Sequence, residues 1–118
     1  MDWYILDENQ NPIPATQDES HEFIKDINNK RIVLDEVGEY KVSTIFLGLD
    51  HGVGYVPHLF ETMVFTKDFQ VPEEGEGFYQ ERYATIQEAR EGHRKAVEWV
   101  WITFYAKEWS WENFYASE

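Results

Sequence analysis

Hydrophobic positions along this chain change period several times, and each change marks an element. Through "RIVLDEVGEYKVSTIF", 31 to 46, two short runs rich in β-branched and aromatic residues are interrupted by the Gly38-Glu39 pair. Runs of that kind bounded by turn residues mark strands, so two strands are predicted, joined by a Gly-X pair suited to a type II′ hairpin turn. That turn sets Val37 opposite Tyr40 and Glu36 opposite Lys41, a cross-strand ion pair. In the second strand Val42, Thr44 and Phe46 lie on one face and Ile45, Leu47 and Leu49 on the other. Both sets are mostly apolar, so the strand is expected to be central and covered on both faces. "LFETMVFT", 59 to 66, has the same character and is read as its antiparallel neighbour, connected through residues 50 to 58. "YQERYA", 79 to 84, supplies a fourth strand, and "WYIL", 3 to 6, a short one followed by a connection in which Pro12 and Pro14 hold the backbone extended.

Two segments carry the longer period of a helix. Thr16 followed by Glu19 forms a capping box, and Phe23, Ile24 and Ile27 make one apolar stripe, so a helix is predicted from about 17 to 29. Thr85 and Glu88 form a second capping box and open the final helix. At about 100° per residue, Ile86, Ala89, His93, Val97, Val100, Phe104 and Trp111 share one stripe of it, with Glu88, Glu91, Lys95 and Glu98 opposite. Beyond Glu98 the opposite side becomes Trp99, Ile102, Ala106 and Trp109, so the helix turns apolar all round. A contiguous exposed patch with two tryptophans is rare on a monomer. The reading is that residues 99 to 118, an aromatic helix and tail, form a homodimer interface, with the tail folded back over the helix as the alternative. Together these elements predict one α+β domain over 1 to 118, an antiparallel sheet of about four strands. The long C-terminal helix is expected on one face and the 17 to 29 helix on the other or at an edge.

Composition narrows the possible partners. At 118 residues the chain can bury a core without staples, and having no cysteine it has no disulfide or thiolate metal site. A formal net charge of -13 repels phosphate backbones and anionic membranes. Direct nucleic-acid binding and membrane association are therefore not expected, and a basic partner is favoured. No early basic segment precedes an apolar run and no apolar run nears ~18 residues, so neither a signal peptide nor a span is expected. A cytoplasmic location follows as the expectation.

Candidate chemistry gathers in "LGLDHGVGYVPHLFETMVF", 47 to 65, where Asp50, His51, His58 and Glu61 flank a loop. With His93 on the core stripe of the last helix, imidazoles and carboxylates could converge for acid/base work or on a zinc or iron ion. The spacing matches no diagnostic metal motif, and no cofactor is expected. The competing reading makes His93 a core histidine bonded to a sheet carbonyl or to Asp50, and His58 a solvated loop residue. Nucleophile elbows and phosphate-binding loops are absent from the sequence, so nothing fixes a reaction. On the first helix Asp18, Glu22 and Asp26 recur every four residues with Glu19 beside them, about 6 Å apart along the axis. That face could imitate nucleic-acid phosphates and occupy a basic or nucleic-acid-binding host protein; its ordinary reading is a solvated surface.

The segments "VSTIFLGLDH", "LFETMVF" and "RYATIQEAREGH" resemble a family of small, functionally uncharacterised proteins encoded by tailed bacteriophages and prophages. The resemblance covers about the central half of the chain and transfers no catalytic residue. It implies a phage-type origin, the host cytoplasm as location, and accessory or host-directed roles over metabolic catalysis. In that pattern Asp50, His51, Glu61 and His93 have counterparts, whereas His58 does not. The functional expectation is a small acidic accessory protein acting by protein contact. The alternative is an acid/base or metal-assisted hydrolase, or a small-ligand binder, using His51, His93 and Asp50.

Overall fold

A computed structural model describes residues 2–50, 52, 54–73 and 77–106. The order is β1 (Trp3–Leu6), β2 (Pro12–Ala15), α1 (Gln17–Lys25), α2 (Ile27–Lys30), β3 (Arg31–Val37), β4 (Tyr40–Phe46), β5 (Phe60–Thr66), β6 (Gln80–Tyr83) and α3 (Ile86–Trp101). A π-helical turn over Ile102–Ala106 follows. Four strands form an antiparallel sheet in the order β3-β4-β5-β6, and β1 and β2 make a separate two-stranded hairpin. The fold is α+β, a four-stranded antiparallel sheet packed by the C-terminal helix. No helix among the described residues is long and apolar enough to cross a membrane.

The β3–β4 hairpin has the register its turn dictates, with Val37 opposite Tyr40 and Glu36 opposite Lys41. Gly38 sits at φ 60° while Glu39 is not among the residues of positive φ, the combination a type II′ turn requires. Lys41 Nζ lies 3.9 Å from the Glu36 carboxylate. The β2 strand is an addition to the sequence reading. Asp7 accepts hydrogen bonds from the backbone N–H groups of Asn9 and Asn11 and turns the chain back. Pro12 and Pro14, which have no N–H to donate, are tolerated because β2 borders only β1.

Alternation along the strands sorts the sheet into two unlike faces. Val42, Thr44 and Phe46 of β4 and Phe60, Thr62 and Val64 of β5 point toward α3 and are fully buried. Phe46 and Phe60 form one cluster with Leu6, Leu59, Tyr83, Ile86 and Ala89, and Val42 and Val64 a second with Ala96 and Val100. The α1 helix packs at the end of this same face, its Phe23 edge-on to Phe46 with ring centroids 5.9 Å apart. A side-chain bond from Ser20 to the Gly48 carbonyl, 3.0 Å, fixes that docking. Among the described residues, β4 is therefore covered by helices on one side alone: the first helix, expected on the far face or at an edge, packs at the end of the α3 side. Leu34, Ile45, Met63 and Phe65 on the outer face stay only half-buried.

Both helices start where their caps predict. Around Thr16 the capping box is complete, with Glu19 N–H on the Thr16 hydroxyl and Thr16 N–H on the Glu19 carboxylate. Hydrogen bonding to the carboxylate from the Thr16 backbone N–H, and then from the Thr16 side chain, holds the Glu19 carboxyl below its ordinary range. At Thr85 only half the box forms, because the Glu88 carboxylate accepts from the Thr85 hydroxyl. The first helix is shorter than its stripe suggests: Asp26 leaves helical geometry at ψ 116° and caps the separate α2 turn by accepting from Asn28 N–H.

Candidate functional site

The small residues Ala89, Gly92 and Ala96 on the inner stripe of α3 let its backbone approach the sheet. His93 projects from that stripe and is 4% exposed. Its Nδ1 lies 2.7 Å from the Thr44 hydroxyl on β4, and its Nε2 lies 2.8 Å from the Asp35 carboxylate on the edge strand β3. Thr44 faces Thr62 across the β4–β5 ladder with their hydroxyls 2.5 Å apart. A carboxylate only accepts, so Nε2 carries a proton toward Asp35. In the neutral ring Nδ1 then accepts from Thr44, and Thr44 accepts in turn from Thr62. One row of polar groups thus runs from the sheet edge to its centre beneath α3, each link supplied by a different element.

An acid, an imidazole and a hydroxyl in line suggest nucleophilic chemistry, but the order of exposure is reversed for it. Thr44 has no exposed surface, whereas the Asp35 side chain is 53% exposed. An attacking hydroxyl must reach a substrate carbon, and Thr44 is roofed by the helix. The row therefore acts as a polar tie between helix and sheet, worth the cost of any group it would otherwise leave buried and unpaired.

The other sequence candidates are dispersed. Asp50 accepts from Gly52 N–H at 2.9 Å and shapes its own loop, while its backbone N–H bonds to Asp2. Glu61 points to the outer face, 7% exposed, where Arg82 and Gln80 of β6 each donate to it at 2.8 Å. His51 lies outside the described residues, and His58 is half-buried before β5. Among the described residues no group of three or more histidine, cysteine or carboxylate side chains could hold a metal ion. So His93 does not join Asp50 or Glu61, and its carboxylate partner is Asp35. The residue was missed although it breaks the apolar alternation Val33-Asp35-Val37 on the inward face.

Two surface expectations also change shape. Trp99 turns inward, its ring centroid 5.0 Å from Tyr79 and 5.9 Å from Phe104. Phe104 stacks on Tyr40 at 4.2 Å, and the Tyr105 hydroxyl accepts from Glu39 N–H, so the π-helical turn is fastened to the β3–β4 hairpin. Of the expected interface, Ile102 is 56% exposed, Ala106 is half-buried, and Trp109 and Trp111 lie outside the described residues. On the acidic helix Glu19 and Asp26 are occupied as caps and Glu22 pairs with Lys25 at 3.2 Å, so the four-residue register ends at Glu22.

Another chemical irregularity lies between α3 and β6, the end strand of the sheet among the described residues. A cleft of about 520 Å³ opens there, walled by Tyr79, Glu81 and Tyr83 on one side and by Glu88, Glu91 and Lys95 on the other. Gly92 forms part of its floor, and a Cβ at that position would lie 2.1 Å from the Tyr83 ring. The ring is thus seated directly on the helix backbone. Its hydroxyl is buried beside Thr62 and Tyr79, and burial raises its pKa while hydrogen bonding with those two hydroxyls opposes the rise. Burial, then the charges on Tyr83 and Glu81, push the Tyr79 phenol up to about 12. Neither tyrosine is singled out by periodicity, because in an edge strand an aromatic pair reads as core. No protein-family model, curated protein or solved structure matches this chain.

Proposed function

We propose that this protein works by protein contact, holding a basic partner against the outer face of its sheet, as a phage-type accessory protein directed at a host factor. The observation that carries this reading is the inequality of the two faces. On the α3 side the central residues of β4 and β5 are fully buried, whereas Ile45, Met63 and Phe65 on the outer side remain half-buried with a shallow depression of about 50 Å³ between them. Both described helices that pack the sheet do so from the α3 side. Charge selects the occupant: at a net charge of -13 the chain attracts a protein whose apolar contact is ringed by lysine and arginine. Glu36, on the same face, stays 70% exposed beside it.

The test is affinity purification from infected cells, followed by titration of the purified binder. A basic protein is expected, with affinity falling as salt rises and at least tenfold for the Ile45→Lys, Met63→Lys pair. An acidic binder, or one indifferent to that pair, removes the reading. A second copy is favoured at another place by Trp101 and Ile102, 49% and 56% exposed near the end of α3. Light scattering that finds a dimer abolished by Ile102→Asp, with no basic binder recovered, would put self-association in place of a heterologous partner.

A further inference from the structure

We infer that the buried row is a pH-responsive relay: a proton gained by His93 reverses the donor order of the hydroxyls behind it and is read out at Tyr79, in the wall of the cleft beside β6. The row does not end at Thr62. The Tyr83 hydroxyl lies beside Thr62 and Tyr79 and hydrogen-bonds with both. Asp35, Thr44, Thr62 and Tyr83 thus supply one polar side chain from each strand of the sheet, β3, β4, β5 and β6 in turn. Tyr79, half-buried just before β6, brings the series to the cleft.

Each hydroxyl has one proton to donate, so the direction of one bond sets the direction of the next. With His93 neutral, its Nε2–H is committed to Asp35 and its Nδ1 can only accept. Thr44 then donates to Nδ1, Thr62 to Thr44, Tyr83 to Thr62 and Tyr79 to Tyr83. The last bond leaves its own mark. After burial and the charges on Tyr83 and Glu81, it too raises the Tyr79 phenol, and it opposes the burial that raises Tyr83. When the ring takes a proton from solvent at Nδ1, that nitrogen becomes a donor. Thr44 must accept from it and donate to Thr62, Thr62 to Tyr83 and Tyr83 to Tyr79. Only O–H bonds rotate, and no group is stranded in either state. Tyr79 presents a lone pair to the cleft while its proton lies on Tyr83, and an O–H once the row is reversed.

The surroundings of the ring suit two charge states. From β3 the Asp35 carboxylate faces it at 2.8 Å. The polar groups facing it from β4 and β5 are the two threonine hydroxyls, and β6 adds Tyr83, with Glu81 acting on both phenols. On α3 itself, Arg90 and Arg94 are exposed and held by Gln10 and Glu91. Histidine is the side chain that ordinarily changes charge between pH 5 and 8.

The full chain, isotope-labelled at the histidine ring nitrogens and the tyrosine ring carbons, is titrated by NMR from about pH 8 to about pH 5. His93 should carry its proton on Nε2 at the alkaline end and gain a second at Nδ1. The Cζ signals of Tyr83 and Tyr79 should move with the same midpoint. Thr62→Val cuts the row between Thr44 and Tyr83 but leaves the ring charge in place, so His93 should still titrate while the tyrosine shifts lose most of their amplitude. Thr62→Ser should restore them, and Glu81→Gln should leave the coupling intact. Retained amide dispersion separates the relay from acid unfolding. Tyrosine shifts that persist in Thr62→Val would mean that the charge acts through space, and would overturn the relay. So would a His93 that stays neutral until dispersion is lost, or a neutral ring with its proton on Nδ1.

Discussion

Thr44→Val removes the hydroxyl that joins the imidazole of α3 to the second threonine of the sheet, and its consequence can be worked from the row of contacts. Thr44 is fully buried, 2.7 Å from His93 Nδ1 and 2.5 Å from the Thr62 hydroxyl. Valine keeps the branched shape, so little volume changes. Two buried groups lose their partner at once, the Nδ1 acceptor and the Thr62 donor, each costing about 1–3 kcal/mol. Allowing for some relaxation, a loss of about 2–4 kcal/mol is expected. At about 4 °C per kcal/mol for a domain near this size, the melting temperature should fall by about 8–16 °C. Thr62→Val alone leaves Thr44 bonded to His93 and should cost about 0.5–1.5 kcal/mol. The decisive comparison is the double variant. With Thr44 already valine, Thr62→Val removes an orphaned hydroxyl, so the second change should restore about 1 kcal/mol where alone it destabilises. Urea unfolding of the four proteins, with equal slopes required, measures all sides of the cycle. Additive costs, or a Thr44→Val loss below about 0.5 kcal/mol, would show that the row does not hold α3 to the sheet.

Other outcomes follow from single features. Gly92→Ala should destabilise by about 1–2 kcal/mol net, since overpacking against the Tyr83 ring outweighs the gain of about 1 kcal/mol in helix propensity; the Tyr83→Leu background should relieve it, and denaturant midpoints decide. Tyr79 keeps its proton in the native state up to about 12, while the unfolded chain releases it near the ordinary value of 10.0. Stability from this group is thus complete below pH 10 and lost as pH rises toward 12, and Tyr79→Phe should flatten that decline in unfolding curves. Thr16→Ala should cost about 1 kcal/mol through the α1 cap, seen as an equal shift in thermal and urea transitions.

Strands and helix starts were legible because their signals are local. The Gly38-Glu39 pair sets the hairpin register wherever it occurs, and a threonine three residues before a glutamate supplies the missing acceptor for a helix's first N–H groups whatever lies around it. The shortened first helix shows the limit of such reasoning. Asp26 can continue an acidic stripe or cap a new turn, and the choice falls to the cap because the chain must bend there to enter β3. The candidate site was less legible. His93 was identifiable as an inward histidine by its place on the stripe. Its partners come from residues 58 and 49 positions away in the chain, Asp35 and Thr44.

By itself, the order of residues determined the α+β class, the turn between β3 and β4, the inward stripe of α3 and the strong negative charge, each a consequence of spacing or composition. Only the tertiary structure decided that α1 and α3 share one side of the sheet, that Asp35 rather than Asp50 meets His93, and that Tyr83 rests on Gly92 at the bottom of an acidic cleft. The physical reason is that periodicity tells which way a side chain faces but not what it faces. Partners across layers are set by how closely small residues let a helix approach the sheet and by which strand lies beneath each turn. In this protein Ala89, Gly92 and Ala96 provide that approach, and they carry no chemical signal of their own.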